Sequence, residues 1–342
     1  MSSKENEIVI QHQKDLLEVF GSVLDERIGM KHSRYVIDDY FSADESIKPC
    51  CGAVPVSAEG IYALWITAEG ADPNKRLLYL HGGGYILGSV RGYQGLASYL
   101  SRATGASVLL IDYSLAPENK FPACIEDVKT AFNWMLENGP DGPSPAGKTY
   151  IAGDSAGGGL SLASTLAMRD EGLTLPNGVI ALSPWTELEP TSTSFEENSE
   201  TDPFLSREGI TGMADAYVNS PEDKTNPLAS PLFGSFKGFP DLLIQVGSRE
   251  MLLDDAKRVA QKAEEEGCKV DLQVWEDMVH VWQGATGRMK DKFRGGYKQL
   301  WKCKDGKYRN YGKTAYERQP WETEAYAMEG PLAELFKKYE KK

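Results

Sequence analysis

The chain has 342 residues, 41% of them apolar and 25% charged, with a formal net charge of −13; this is the composition of a globular protein long enough for one substantial core. It holds no run of about 18 apolar residues, so no membrane-spanning helix or stable membrane insertion is expected. The acidic balance disfavours nucleic acid and anionic lipid as partners and favours neutral small molecules over anionic ones.

The N-terminal stretch MSSKENEIVIQHQKDLLEVF is polar and charged. It lacks the apolar segment and small-residue cleavage site of a secretory leader, which predicts a cytoplasmic location. A helical pattern runs over residues 9–24, and the first 45 residues stand apart from the rhythm that follows. Strands are expected at 76–80, 107–112, 149–153, 178–183, 241–247 and 269–275, with helices at 92–104, 122–136, 157–171 and 252–266. Several of the strands are apolar on both faces, as strands of a parallel sheet covered on both sides must be. Strand–helix alternation over residues 46–290 predicts an α/β doubly wound domain with a mostly parallel central sheet.

Residues 186–235, rich in Ser, Thr, Pro and Glu, are too many for a plain connection and are expected to form a lid over the site, with a surface excursion as the alternative. Residues 290–342 carry 14 Lys/Arg against 8 Asp/Glu, a balance of +6 that leaves −19 for the rest. This basic stretch is dense in Tyr and Trp but shows no nucleic-acid motif. It is expected as an extension from residue 291 onward. The five cysteines, Cys50, Cys51, Cys124, Cys268 and Cys303, have no metal or disulfide spacing and are expected as reduced, mostly buried thiols.

Directly after the strand at 76–80 comes His81-Gly82-Gly83-Gly84. Consecutive glycines let a backbone approach a ligand and aim its amides inward, and in acyl transfer such amides stabilise the tetrahedral oxyanion. No Gly-Lys-Ser/Thr follows, which excludes a phosphate loop of the P-loop type. Gly153-Asp154-Ser155-Ala156-Gly157 lies where a strand ends and a helix begins, the context in which G-x-S-x-G exposes a nucleophilic serine on a sharp turn. A second oxyanion donor would then be the amide of Ala156.

A serine hydroxyl needs a base. Chains with this turn run serine, acid, histidine in order, and of His12, His32, His81 and His280 only His280 follows Ser155. It falls just beyond the strand at 269–275, at the edge where open α/β sheets bind ligands. His81 is expected to orient its own loop; His12 and His32 have no supporting context. The acid should follow the strand at 241–247. Glu250 is favoured because it lies in the loop itself, whereas Asp254 and Asp255 fall where a helix begins and carboxylates also serve as caps.

These stretches resemble the bacterial hormone-sensitive-lipase-like esterases, the family IV lipolytic enzymes. The resemblance is carried by HGGG at 81, DYSLAPENKFPA at 112, GDSAGGG at 153, SPWTELEP at 183, NPLASPLFG at 226 and LLIQVGSREMLLDDA leading toward His280. It implies an α/β-hydrolase fold with a helical cap built from the N-terminal segment and part of 186–235. It further implies a triad of Ser155, Glu250 and His280, and oxyanion donors at the amides of Gly83, Gly84 and Ala156. Tyr85 and Trp185 are expected as pocket walls, with the core as the alternative place for either. The implied activity is hydrolysis of short-chain carboxylic esters through a serine acyl-enzyme, with no cofactor and with a homodimer as a plausible assembly. The same machinery would serve a lactone or an amide. A non-catalytic receptor like the gibberellin receptors, which resemble the family but lack this histidine, is disfavoured by His280.

Overall fold

The computed structural model describes residues 4–23, 29–42 and 51–285. Eight strands make one sheet. Its antiparallel edge is a hairpin of β1 (Ala53–Ala58) and β2 (Ile61–Ile66). The connecting Glu59 and Gly60 both have positive φ, 52° and 97°, the two-residue turn whose twist matches paired strands. From β3 (Asp72–Leu80) and β4 (Ala106–Ile111) the chain passes through a two-residue hairpin, β5 (Asn138–Gly139) and β6 (Gly142–Pro143). It then enters β7 (Lys148–Asp154), β8 (Gly178–Leu182), β9 (Asp241–Gly247) and β10 (Val270–Trp275). The spatial order is β1-β2-β4-β3-β7-β8-β9-β10. β2 is antiparallel to β4, and every pairing from β4 to β10 is parallel.

Side chains alternate across the sheet and each set meets a helix layer. Leu78 and Leu80 share a buried cluster with Ile125, Val128 and Phe132 of α4 (Ala123–Glu137) and with Leu160 and Ala163 of α5 (Ala156–Asp170). Their neighbours Leu77 and Tyr79 face the opposite way, onto Leu96, Ala97 and Leu100 of α3 (Val90–Thr104). α8 (Leu253–Glu265) covers β8 and β9 through Ala256, Val259, Ala260 and Ala263. Each Leu, Ile, Val or Phe side chain among them, taken from water, contributes about 1.5–3 kcal/mol.

Two segments lie over the carboxyl ends of the strands. One is the N-terminal pair α1 (Lys4–Val23) and α2 (Met30–Ser42). α2 is pinned to the body where the Ser89 hydroxyl, itself the N-cap of α3, donates to Asp38 Oδ2 at 2.7 Å, and where Arg34 donates to the carbonyls of Ile86 and Ala116. The other is the insertion at 186–235, which holds α6 (Ser194–Glu197), α7 (Arg207–Tyr217) and 3₁₀ turns at Pro221–Thr225 and Pro231–Phe233. Only its middle faces the site; Leu232 turns back into the core beside Leu162 and Leu166.

The strands expected from sequence fall within one residue of β3's second half, β4, β7, β8, β9 and β10. The β1–β2 hairpin and the separate helix α2 were not anticipated. Cys124 and Cys268 are buried free thiols and Cys51 is partly buried. Cys50, Cys303 and the basic extension lie outside the described residues.

Candidate active site

β7, β9 and β10 run in one direction, so the residues that follow them share one rim of the sheet. Ser155 stands between β7 and α5 with φ 54° and ψ −120°, a conformation that costs a non-glycine residue energy and that functional turns retain. The turn is tight because α5 passes close under β3. A Cβ on Gly157 would lie 2.0 Å from the Leu80 carbonyl oxygen, so nothing larger than hydrogen fits.

Ser155 Oγ lies 3.0 Å from His280 Nε2, and His280 Nδ1 lies 3.0 Å from Glu250 Oε2. A carboxylate only accepts, so Nδ1 carries the proton and Nε2 is free to accept from the serine hydroxyl. Glu250 is fully buried, and its other oxygen accepts from the Ser183 hydroxyl at 2.7 Å and the Gly247 amide at 2.5 Å. Burial lifts the Glu250 carboxyl above the usual carboxylate range, against the pull of His280, Gly247 and Ser183. Burial alone would lower the His280 imidazole. The hydrogen bond and charge of Glu250, with the charges of Asp202 and Asp154, outweigh it and hold the imidazole above its ordinary value.

Asp254 and Asp255, the other carboxylates considered, point elsewhere. Asp254 accepts from Thr193 and Ser194. Asp255 Oδ2 accepts from the amides of Thr186 and Glu187.

The glycine loop faces Ser155 from the end of β3. Gly83 and Gly84 have φ 117° and 62°, and a Cβ on Gly84 would meet Met213 Sδ at 2.0 Å. Ala156 opens α5, so its amide has no acceptor inside the helix. The loop is held from below by Asp154, which accepts from the Gly82 amide at 3.0 Å, the Tyr79 hydroxyl at 2.7 Å and the Tyr93 hydroxyl at 3.1 Å. Burial raises the Asp154 carboxyl to about 6, opposed by these donors. His81 is fully buried, stacks on Tyr113 at 4.3 Å and contacts the Gly82 carbonyl through Nδ1 at 2.8 Å. Burial lowers it to about 4, so it stays neutral.

A cavity of about 280 Å³ opens onto Ser155 and His280. Its floor is Gly82, Gly83 and Gly84; Leu16, Ile37 and Phe41 from α1 and α2 form one wall, and Phe204, Leu205 and Met213 form the other. The Phe204 ring stacks on the His280 imidazole at 6.2 Å, 12° from parallel. Asp202 fixes that segment, accepting from the amides of Phe204, Leu205 and Met251 at 3.0 Å each. Tyr85 and Trp185 do not line the cavity; of the two places expected for them, wall or core, they take the core. Both are 2% exposed. Tyr85 stacks on Tyr217 at 3.9 Å and tilts against Trp185 at 5.8 Å, so the pair packs in the core beneath the site. His12, left without context by the sequence, lines the cavity beside Gln13. Among the described residues no group of three or more His, Cys, Asp or Glu could hold a metal ion, and no helix is long and apolar enough to cross a membrane.

A family model described as the alpha/beta hydrolase fold matches residues 77–284. An acetyl-hydrolase from Streptomyces hygroscopicus is 41% identical over 220 residues, covering 64% of this chain and 72% of the relative. An esterase from Acinetobacter venetianus is 33% identical over 229 residues, covering 67% of this chain and 74% of the relative. Among solved structures, an esterase from the bacterial hormone-sensitive lipase family superposes with a TM-score of 0.75 at 36% identity, covering 85% of this chain and 94% of its own.

Proposed function

The chain belongs to the alpha/beta hydrolase fold family, in its bacterial hormone-sensitive-lipase-like branch, and from that premise we propose that it hydrolyses short-chain carboxylic esters with Ser155 as nucleophile, His280 as base and Glu250 as the carboxylate that orients the base. One observation carries the assignment of roles: an unbroken relay of contacts, 3.0 Å and 3.0 Å long, from serine oxygen through imidazole to buried carboxylate.

The steps follow from this geometry. His280 Nε2 takes the Ser155 proton as Oγ attacks the ester carbonyl. Charge developing on the carbonyl oxygen is met by the amides of Gly83, Gly84 and Ala156, and losing one such donor costs about 3–4 kcal/mol of transition-state stabilisation. The imidazolium, stabilised by Glu250, then protonates the departing alkoxide. Water activated by the same imidazole releases the acid and restores Ser155.

A cavity of about 280 Å³ lies at the small end of ligand sites, which run from about 300 Å³ upward. Its lining is aliphatic and aromatic around the few polar groups of the relay, which suits a short acyl chain and a neutral alcohol. Ser155→Ala should abolish turnover of p-nitrophenyl butyrate while circular dichroism stays that of the parent. Near-parental turnover by that variant would remove the assignment.

A further inference from the structure

α1 does more than wall the cavity. Val9 is buried against Val279 and Trp282, which flank His280 along the chain. One helical turn further on, on the same face, Gln13 Nε2 donates to the main-chain carbonyl of His280. A peptide carbonyl only accepts, so the amide must present its NH₂ there. On the other side of that peptide bond, the Val281 amide donates to Ser183 Oγ at 3.1 Å, and the same hydroxyl donates to Glu250. The peptide joining His280 to Val281 is thus gripped at both polar ends, by the N-terminal helix and by the Glu250 network.

The grip has a physical reason. Val281 has φ 47°, a region that a β-branched residue adopts only when its surroundings force it. Loosening one hold would let the peptide relax and swing the imidazole off the line between Ser155 and Glu250. Gln13 is 6% exposed and its Oε1 is buried with no hydrogen-bond partner. An apolar side chain of similar volume would avoid that loss, so what the amide adds at this position is the contact to the His280 carbonyl.

We propose that Gln13 is a positioning residue for His280, linking the seating of the N-terminal helix to the alignment of the base. The proposal rests on the reading of Ser155 as nucleophile and His280 as base.

The test uses the full chain and p-nitrophenyl butyrate. Gln13→Leu removes the donor and keeps the volume. Its kcat should fall about 10- to 100-fold, the usual effect of misplacing a reacting group by about 1 Å, with KM changed by less than about twofold. Phosphorylation of Ser155 by diisopropyl fluorophosphate should slow in parallel. Ser183→Ala combined with Gln13→Leu should lose less than the product of the two single losses, because both hold one peptide. A Gln13→Leu kcat near the parent's, a loss confined to KM, or fully multiplicative losses would each overturn the proposal. Should Gln13→Leu fail to fold, Gln13→Asn, which keeps the donor one methylene short, is read by the same criteria. Ser155→Ala and His280→Ala separate the two levels. Active forms of these sink the underlying reading. Inactive forms beside a fully active Gln13→Leu sink only the role given to Gln13.

Discussion

Proton traffic at the site is set by the surroundings of single side chains. His280 must be neutral to accept from Ser155, and its imidazole is held above the ordinary value, chiefly by Glu250 acting against burial. The acid limb of kcat/KM should therefore have its midpoint above about 6.5. Glu250→Gln removes the charge that raises the imidazole and leaves the burial that lowers it, so the limb should move to lower pH as kcat falls; a pH–rate profile of both proteins checks this. Asp154 acts on the oxyanion loop instead. Its carboxylate joins the Gly82 amide to Tyr79 and Tyr93. Asp154→Asn, which places an amide NH₂ among three donors, should cut kcat about 10-fold or more by loosening the loop, with steady-state kinetics at constant pH as the measure.

At the scale of elements, close approaches decide what can change. The β7–α5 turn brings Gly157 against the Leu80 carbonyl. Gly157→Ala should destabilise the fold by about 2 kcal/mol or more, as overpacking in a tight interior does, which urea unfolding would register. Asp255, on the first turn of α8, ties that helix to the root of the insertion through Thr186 and Glu187. Burial lifts its carboxyl to about 7, above the ordinary unfolded value of about 3.9. A raised carboxyl supports folding fully below the unfolded value and loses that support as pH rises through the folded one. The thermal midpoint of Asp255→Asn should therefore drop less between about pH 5 and about pH 8 than that of the parent.

The elements themselves were legible to very different degrees. Strands β7 to β9, buried on both faces, announced themselves as apolar runs, and the turn at Ser155 could be read because only glycine tolerates its crowding. The β1–β2 hairpin was missed: its exposed face breaks the apolar run with Pro55 and Ser57, and its turn is Glu-Gly instead of Asn-Gly. Gln13, Phe204 and Met213 were illegible for a different reason. Each reaches the site only through the docking of a segment remote along the chain, which no local pattern encodes.

For the whole molecule, charge and assembly matter most. With a net charge of −13, the protein should discriminate against esters that carry a carboxylate. The ratio of kcat/KM for p-nitrophenyl hemisuccinate to that for p-nitrophenyl butyrate should rise a few-fold on going from low to high salt, as screening removes the repulsion. The distances along the chain have a separate consequence. Ser155 and His280 are 125 positions apart, and Gln13 and His280 are 267. Closing so long a span is entropically slow and gains nothing until the sheet exists to receive it. After dilution from denaturant, ellipticity should recover first and turnover last, with the interval set by the arrival of α1 on the histidine loop.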